Sequence, residues 1–399
     1  MNVSNRGKEA QASPIRRLAP YAEEAVRQGV KVFHLNIGQP DLPTPEIVME
    51  RLRGYPSKYV PYAPSNGTLE FREGMARYYA QHGLEFSPAE ILTTVGGSEA
   101  LQFAFWALFE PGEDVIVFEP FYTNYATMAL LAGVGVTPIP CDGRTGYHLP
   151  PIEAVERAIG PKTRGILLCA PSNPTGTAYT AAEIDAIVAL AVRRDLWIIT
   201  DEAYREFIYD GATHESPLTR AGVAERTVLV DSISKRLNMC GARVGTLVTK
   251  NAAVREACLK FAQARLSPPS VGMHAAAVID KVPADYTRGV VAEFKKRRDL
   301  VLEGLAKIPG TFARKPEGAF YLMAELPVPD VEEFVIWMLK EYRKDGATVM
   351  VAPGDGFYAT PGRGKNEIRF AYVLEEGALR KSMEILSGAL EAYPVKAAR

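Results

Sequence analysis

The sequence predicts an α/β fold, with a large unit built on a mostly parallel sheet flanked by helices and a smaller α+β unit beside it. Two observations carry that expectation. Runs at 91–95, 114–118, 165–169, 196–200, 227–230 and 243–248 are apolar without alternation, as strands covered on both faces require. Helical patterns lie between several of them, as at 181–194, and strand–helix–strand order implies parallel neighbours.

The elements follow in order. Gly, Pro, Asn or Asp bound the apolar runs, ending strands and opening turns. The run at 91–95 leads through Gly96-Gly97-Ser98-Glu99 into an apolar helix. A charged helix opens near residue 285, and strands follow at 318–323 and 368–373 with helices between and after. The resulting division is a large unit over 46–284, a smaller unit from 14–45 with 285–399, and a polar, flexible tail over 1–13.

Bulk properties exclude several classes of function. A formal net charge of -1 gives no positive field to attract nucleic acid or an anionic membrane surface. The cluster Lys295-Lys296-Arg297-Arg298, followed by Asp299, reads as a solvated helix face. No apolar stretch approaches the roughly 18 residues of a membrane span. Cys141, Cys169, Cys240 and Cys258 form no CxxC pair, which suits a reducing, cytoplasmic setting. His34, His82, His148, His214 and His274 are scattered, so no metal site is expected.

In open parallel sheets, ligands bind beyond the carboxyl ends of the strands. Pro171-Ser172-Asn173-Pro174-Thr175-Gly176 follows the run at 165–169, and Asp201-Glu202-Ala203-Tyr204 follows 196–200. Asp231-Ser232-Ile233-Ser234-Lys235 follows 227–230, with Arg243 shortly after. Polar residues therefore collect at one end of successive strands, and they describe one site.

This ordered set resembles the motifs of fold-type I pyridoxal-phosphate aminotransferases of class I/II, the family that includes aspartate and aromatic aminotransferases. The likeness runs from Asn36-Ile37-Gly38-Gln39-Pro40-Asp41 to Arg369. It implies pyridoxal 5'-phosphate as cofactor, held as a Schiff base on Lys235 of Ser232-Ile233-Ser234-Lys235. A lysine taken at random would be a surface residue. At this place its amine would move a proton at the substrate's α-carbon, and burial or a neighbouring cation tunes a lysine readily for that task. Asp201 resembles the carboxylate paired with the cofactor's ring nitrogen, though the same residue could serve as a helix N-cap. Tyr204 and Asn173 resemble the groups that reach the 3'-oxygen, and Asn173 would also lie near the substrate carboxylate.

For the phosphate, the likeness implies the amides of Gly97, Ser98 and Glu99 at a helix start, with the Glu99 carboxylate turned away. Ser232 and Arg243 match the family's hydroxyl and guanidinium for the same group; for Arg243 a plain salt bridge is the alternative. Tyr122 resembles the aromatic that stacks on the ring, although aromatics are usually core. Tyr62 resembles a tyrosine that reaches a neighbouring subunit's phosphate, which implies a homodimer with shared active sites. Arg369 resembles the clamp on the substrate's α-carboxylate, and Gly38 the backbone contact at the same end. An arginine in an apolar strand needs an anionic partner, which a buried Asp or Glu could also supply.

Some relatives read a distal carboxylate with a lysine where this chain has Ser98. Arg16 and Arg265 are the substitute candidates, and either could instead be a surface or salt-bridged arginine. The segment 231–245 most resembles a bacterial aspartate aminotransferase subgroup, which points to amino transfer between an L-amino acid, aspartate favoured, and a 2-oxo acid such as 2-oxoglutarate. A carbon-sulfur β-lyase or an aminocyclopropane-carboxylate synthase would share the cofactor residues. A non-enzymatic regulator with an aminotransferase-like domain would need a DNA-binding module, and no basic helix-turn-helix candidate is present.

Overall fold

The computed structural model describes residues 1–394. Its core is a seven-stranded sheet in the spatial order Ile91–Thr94, Gly245–Val248, Thr227–Ser232, Trp197–Asp201, Thr163–Cys169, Asp114–Glu119 and Gly135–Pro140. All pairings are parallel except those of Gly245–Val248, which runs antiparallel to both neighbours. Two reversals cancel, so Ile91–Thr94 points the same way as the rest. The carboxyl ends of six strands and the start of the seventh therefore share one edge.

The apolar runs become strands because both faces are covered. The helix Gly96–Leu108 lays Leu101, Phe103, Ala104 and Phe105 against Ile199, Val228, Val230 and Leu247. On the opposite face Ile184, Ile187 and Leu190 of the helix Ala181–Arg193 join Ile116, Ile166, Leu168 and Ile198. Each of the buried Leu, Ile, Val and Phe side chains contributes roughly 1.5–3 kcal/mol. The latter helix starts where Thr180 and Glu183 close a capping box.

Small departures from the expected boundaries have local causes. The run at 243–248 pairs only from Gly245, because Arg243 adopts a left-handed backbone with φ 54°. The strand expected at 318–323 begins at Tyr321 for the same reason, Ala319 having φ 54°. Gly135–Pro140 was not foreseen. It carries Pro138 and Pro140 and pairs with Asp114–Glu119 alone, an edge position that tolerates missing amide donors.

The rest of the chain forms a four-stranded antiparallel sheet and a separate parallel pair. In the former, Ala352–Pro353, Glu367–Ala371, Tyr321–Glu325 and Phe312–Ala313 lie in that order; in the latter, Lys31–His34 joins Ala347–Met350. The helices Ala284–Ala306, Val331–Lys340 and Glu376–Ala392 cover them. One expectation fails on the first of these helices. Arg297 and Arg298 are not on a solvated face but buried, at 3% and 0% side-chain exposure. Arg297 donates to Asp41, Glu293 and the Val373 carbonyl, and Arg298 to Asp299 and the Pro316 carbonyl while pairing with Asp210. A buried charge persists where partners converge on it. Residues 1–13 include a short exposed helix, Asn5–Glu9. No helix of the described residues is long and apolar enough to cross a membrane.

Candidate active site

The shared sheet edge opens into a cavity of about 210 Å³. Gly38, Gly97, Ser98, Tyr122, Asn173, Asp201, Tyr204, Ser232, Lys235, Arg243 and Arg369 all line it. Eleven residues singled out from sequence thus meet in one place, drawn from chain positions 38 to 369.

Lys235 lies in the first turn after Thr227–Ser232, where Ser232 caps the turn by accepting from the Ser234 amide. Its Nζ donates to the Gly38 carbonyl at 2.6 Å and lies 3.8 Å from Cys240 Sγ. Asp201 ends its strand buried. No helix follows, so it is not a helix cap; one oxygen accepts from the Ala203 amide at 3.2 Å and the other from the Tyr125 hydroxyl at 2.7 Å. Burial raises its pKa to about 6, and the Tyr125 and Ala203 hydrogen bonds oppose the rise. Tyr204 and Tyr321 share a 2.9 Å hydrogen bond between hydroxyls.

Arg369 is held in the middle of Glu367–Ala371 at 1% exposure. It donates to Asn173 Oδ1 at 3.1 Å and to the Asn36 carbonyl, and sits over the rings of Tyr321 and Phe357. Its Nε is buried without a partner, and among the described residues no carboxylate pairs with it. The buried Asp or Glu that could have served it is absent. Arg243 likewise makes no ion pair among the described residues, so the plain salt bridge does not apply; its Nη1 donates to the Cys240 carbonyl. A Cβ on Gly96 would lie 2.5 Å from Arg243 Nη2, so glycine is what lets this guanidinium rest at the start of the helix Gly96–Leu108.

Two expected residues stand apart from the cavity wall. Glu99 turns its carboxylate back to accept from the Val95 amide at 2.8 Å. Tyr62 is 81% exposed on the surface. Sequence reasoning missed Tyr125, Tyr321, Asn36 and Cys240. Tyr125 recurs one helical turn after Tyr122, the only local hint of its direction; Tyr321 was read merely as part of a strand.

A charged clamp at one end, a buried carboxylate on the wall and an amide-rich helix start at the other end are what an amino-acid and phosphate-bearing cofactor site needs, and a family model decides the matter. The description "Aminotransferase class I and II" matches residues 30–384. The chain belongs to the class I and II aminotransferases. Members of this family use pyridoxal phosphate, and this aminotransferase is an enzyme of that kind. It is 33% identical over 396 residues, spanning 98% of this chain and 99% of the relative, to a probable aspartate/prephenate aminotransferase of Thermus aquaticus. Among solved structures, the aspartate aminotransferase of Thermus thermophilus with maleate superposes with a TM-score of 0.87 at 30% identity, covering 98% of this chain and 100% of that one. The alanine aminotransferase of Pyrococcus furiosus gives 0.90 at 27% identity with the same coverage.

Proposed function

We propose that this aminotransferase moves the amino group of L-aspartate to a 2-oxo acid such as 2-oxoglutarate. The carrying observation is Arg369, a buried guanidinium whose Nε has no partner and whose other nitrogens meet only neutral oxygens. Such a charge calls for an anion, and the carboxylate common to amino and oxo acids fits it.

The residues present fit the cofactor on the chemistry of their donors. Gly97, Ser98, Ser232 and Arg243 gather amides, hydroxyls and a guanidinium at one end, a set suited to phosphate. Asp201, buried and held up to about 6, gains from a cationic N–H placed against it. When bound, pyridoxal phosphate supplies an aldehyde that condenses with amines and a ring that accepts electron density from the substrate's α-carbon. Asp201 would hold the proton on the ring nitrogen of the bound cofactor. Lys235 would anchor the cofactor and move the proton at the substrate's α-carbon. Tyr204 and Asn173 would hold the ring oxygen, Tyr122 would lie against the ring, and Arg369 with the Gly38 backbone would orient the substrate carboxylate.

The same reading makes the active unit a homodimer, with Tyr62 reaching the neighbouring site; the exposed Tyr59, Val60 and Leu266 support a second copy there. It assigns 46–284 as the cofactor-binding unit and 14–45 with 285–399 as the smaller one, supported by the seven-stranded sheet lying wholly within 91–248. Four unpaired cysteines favour a cytoplasmic setting. The test is to incubate enzyme, L-aspartate and 2-oxoglutarate and look for oxaloacetate with glutamate. Release of ammonia and pyruvate from cysteine conjugates, with no amino transfer, would overturn the reading in favour of a β-lyase.

A further inference from the structure

The cavity wall carries four cationic side chains, Arg16, Lys235, Arg243 and Arg369, against a single carboxylate, Asp201. Three of the cations have a use in the proposed reaction. Arg16 has none, and Ser98 across the same wall supplies no charge. Among the described residues the Arg16 guanidinium makes no hydrogen bond or ion pair. We infer that Arg16 reads the far carboxylate of a dicarboxylic substrate, an inference that rests on the proposed amino transfer and narrows it.

The mount of this side chain is rigid although its tip is free. Ile15 offers its carbonyl to Asn36 Nδ2 at 2.6 Å, and the Asn36 carbonyl in turn accepts from Arg369. Arg17 is locked to Glu332 at 2.6 Å and to Asp355 at 2.7 Å, and Leu18 is buried. The adjacent arginines thus divide the work: one fixes the segment and the other faces the cavity. Asn36 links the segment to the α-carboxylate clamp, so the two guanidinium groups are placed relative to one another. Tyr122 lies in the field of both. Burial raises its phenol to about 12 and Tyr321 and Asp201 add to the rise, while Arg369 and Arg16 pull it back. The rival cation, Arg265, is not on the cavity wall; it donates to the Ser65 and Thr93 carbonyls at 3.0 and 3.3 Å and stands 3.5 Å from Glu99.

The test compares kcat/KM for L-aspartate and L-alanine in the cofactor-loaded enzyme and in Arg16→Gln, Arg16→Lys and Arg265→Gln. Loss of a charge-assisted contact lowers the aspartate-to-alanine ratio about 10- to 100-fold in Arg16→Gln. Arg16→Lys recovers part of it, and the loss shrinks as salt screens the exposed cation. An unchanged ratio in Arg16→Gln, or a drop confined to Arg265→Gln, overturns the assignment. If the unaltered enzyme transfers amino groups but treats both amino acids alike, only the role of Arg16 falls; if it transfers none, the proposed reaction falls with it.

Discussion

The Lys235 amine donates to the carbonyl of Gly38 at 2.6 Å, across 197 positions of sequence. The bond joins the turn that follows the central sheet to the segment that also holds Arg369 through Asn36. The amine proposed to act at the α-carbon is thereby tethered beside the guanidinium proposed to hold the substrate carboxylate.

Removing that amine is expected to remove the chemistry. Lys235→Ala loses the visible absorption of the lysine-bound cofactor, and turnover falls by about 10⁴-fold. Borohydride reduction of the unaltered enzyme followed by peptide mass spectrometry locates the adduct. An adduct on another lysine would rule Lys235 out.

Asp201 sets function against stability. Its folded pKa, about 6, lies above the ordinary 3.8 because burial disfavours the anion. The folded, cofactor-free protein therefore holds a proton that the unfolded chain releases between those values. Its contribution to stability falls as pH rises through that window and stays low above it. Asp201→Asn is expected to stabilise the cofactor-free protein above pH 6 by up to ~3 kcal/mol, while cofactor affinity and turnover drop. Thermal melts of the cofactor-free forms at pH 4.5 and 7.5, set beside activity of the loaded forms, check both halves. A cofactor-free parent that gains on the variant as pH rises would contradict the sign.

Gly96 and Gly29 both have positive φ, at 72° and 81°, yet their surroundings differ. A Cβ at 96 would meet Arg243 Nη2 at 2.5 Å, whereas one at 29 meets nothing within 4 Å. Each substitution by alanine costs about 1–2 kcal/mol in backbone conformation. Only Gly96→Ala is expected also to weaken cofactor binding, roughly 10-fold by displacing a charge-assisted donor. Equilibrium titration of both variants with pyridoxal phosphate separates them, and equal affinities would remove Arg243 from the phosphate end.

The burial of Arg298 gives a stability prediction far from the site. Arg298→Ala leaves the Pro316 carbonyl without its donor and Asp210 with only Lys295 and Lys315, and is expected to cost roughly 1.5–3 kcal/mol. Lys296→Ala, two residues away with a side chain 69% exposed, should stay within about 0.5 kcal/mol. Urea unfolding of the two variants measures the contrast, and similar midpoints would show the buried network contributes nothing.

The contrast between Lys296 and Arg298 also shows where sequence reading stops. The central strands were legible because apolar runs covered on both faces have a plain signature, and residues at their carboxyl ends could be gathered from order alone. Tyr125 and Tyr321 were not, because each reaches the site by the direction its side chain takes from a helix or strand, which depends on how that element packs. Arg298 was misread because charge alone does not reveal that Asp210 and the Pro316 carbonyl converge on the same helix face. The edge strand Gly135–Pro140 was hidden by its prolines, which mark a strand only once a single neighbour is known.

The antiparallel strand Gly245–Val248 lies between Ile91–Thr94 and Thr227–Ser232 and pairs with both. A Cβ on Gly245 would press within 3 Å of Gly96, Gly97 and Asp231, so two other stretches of the chain close against this one backbone. Every residue proposed for the phosphate end precedes the end of that strand in the chain. Arg369 is synthesised more than a hundred residues later, so the part of the site proposed for the phosphate is complete in a nascent chain before the part proposed for the amino acid.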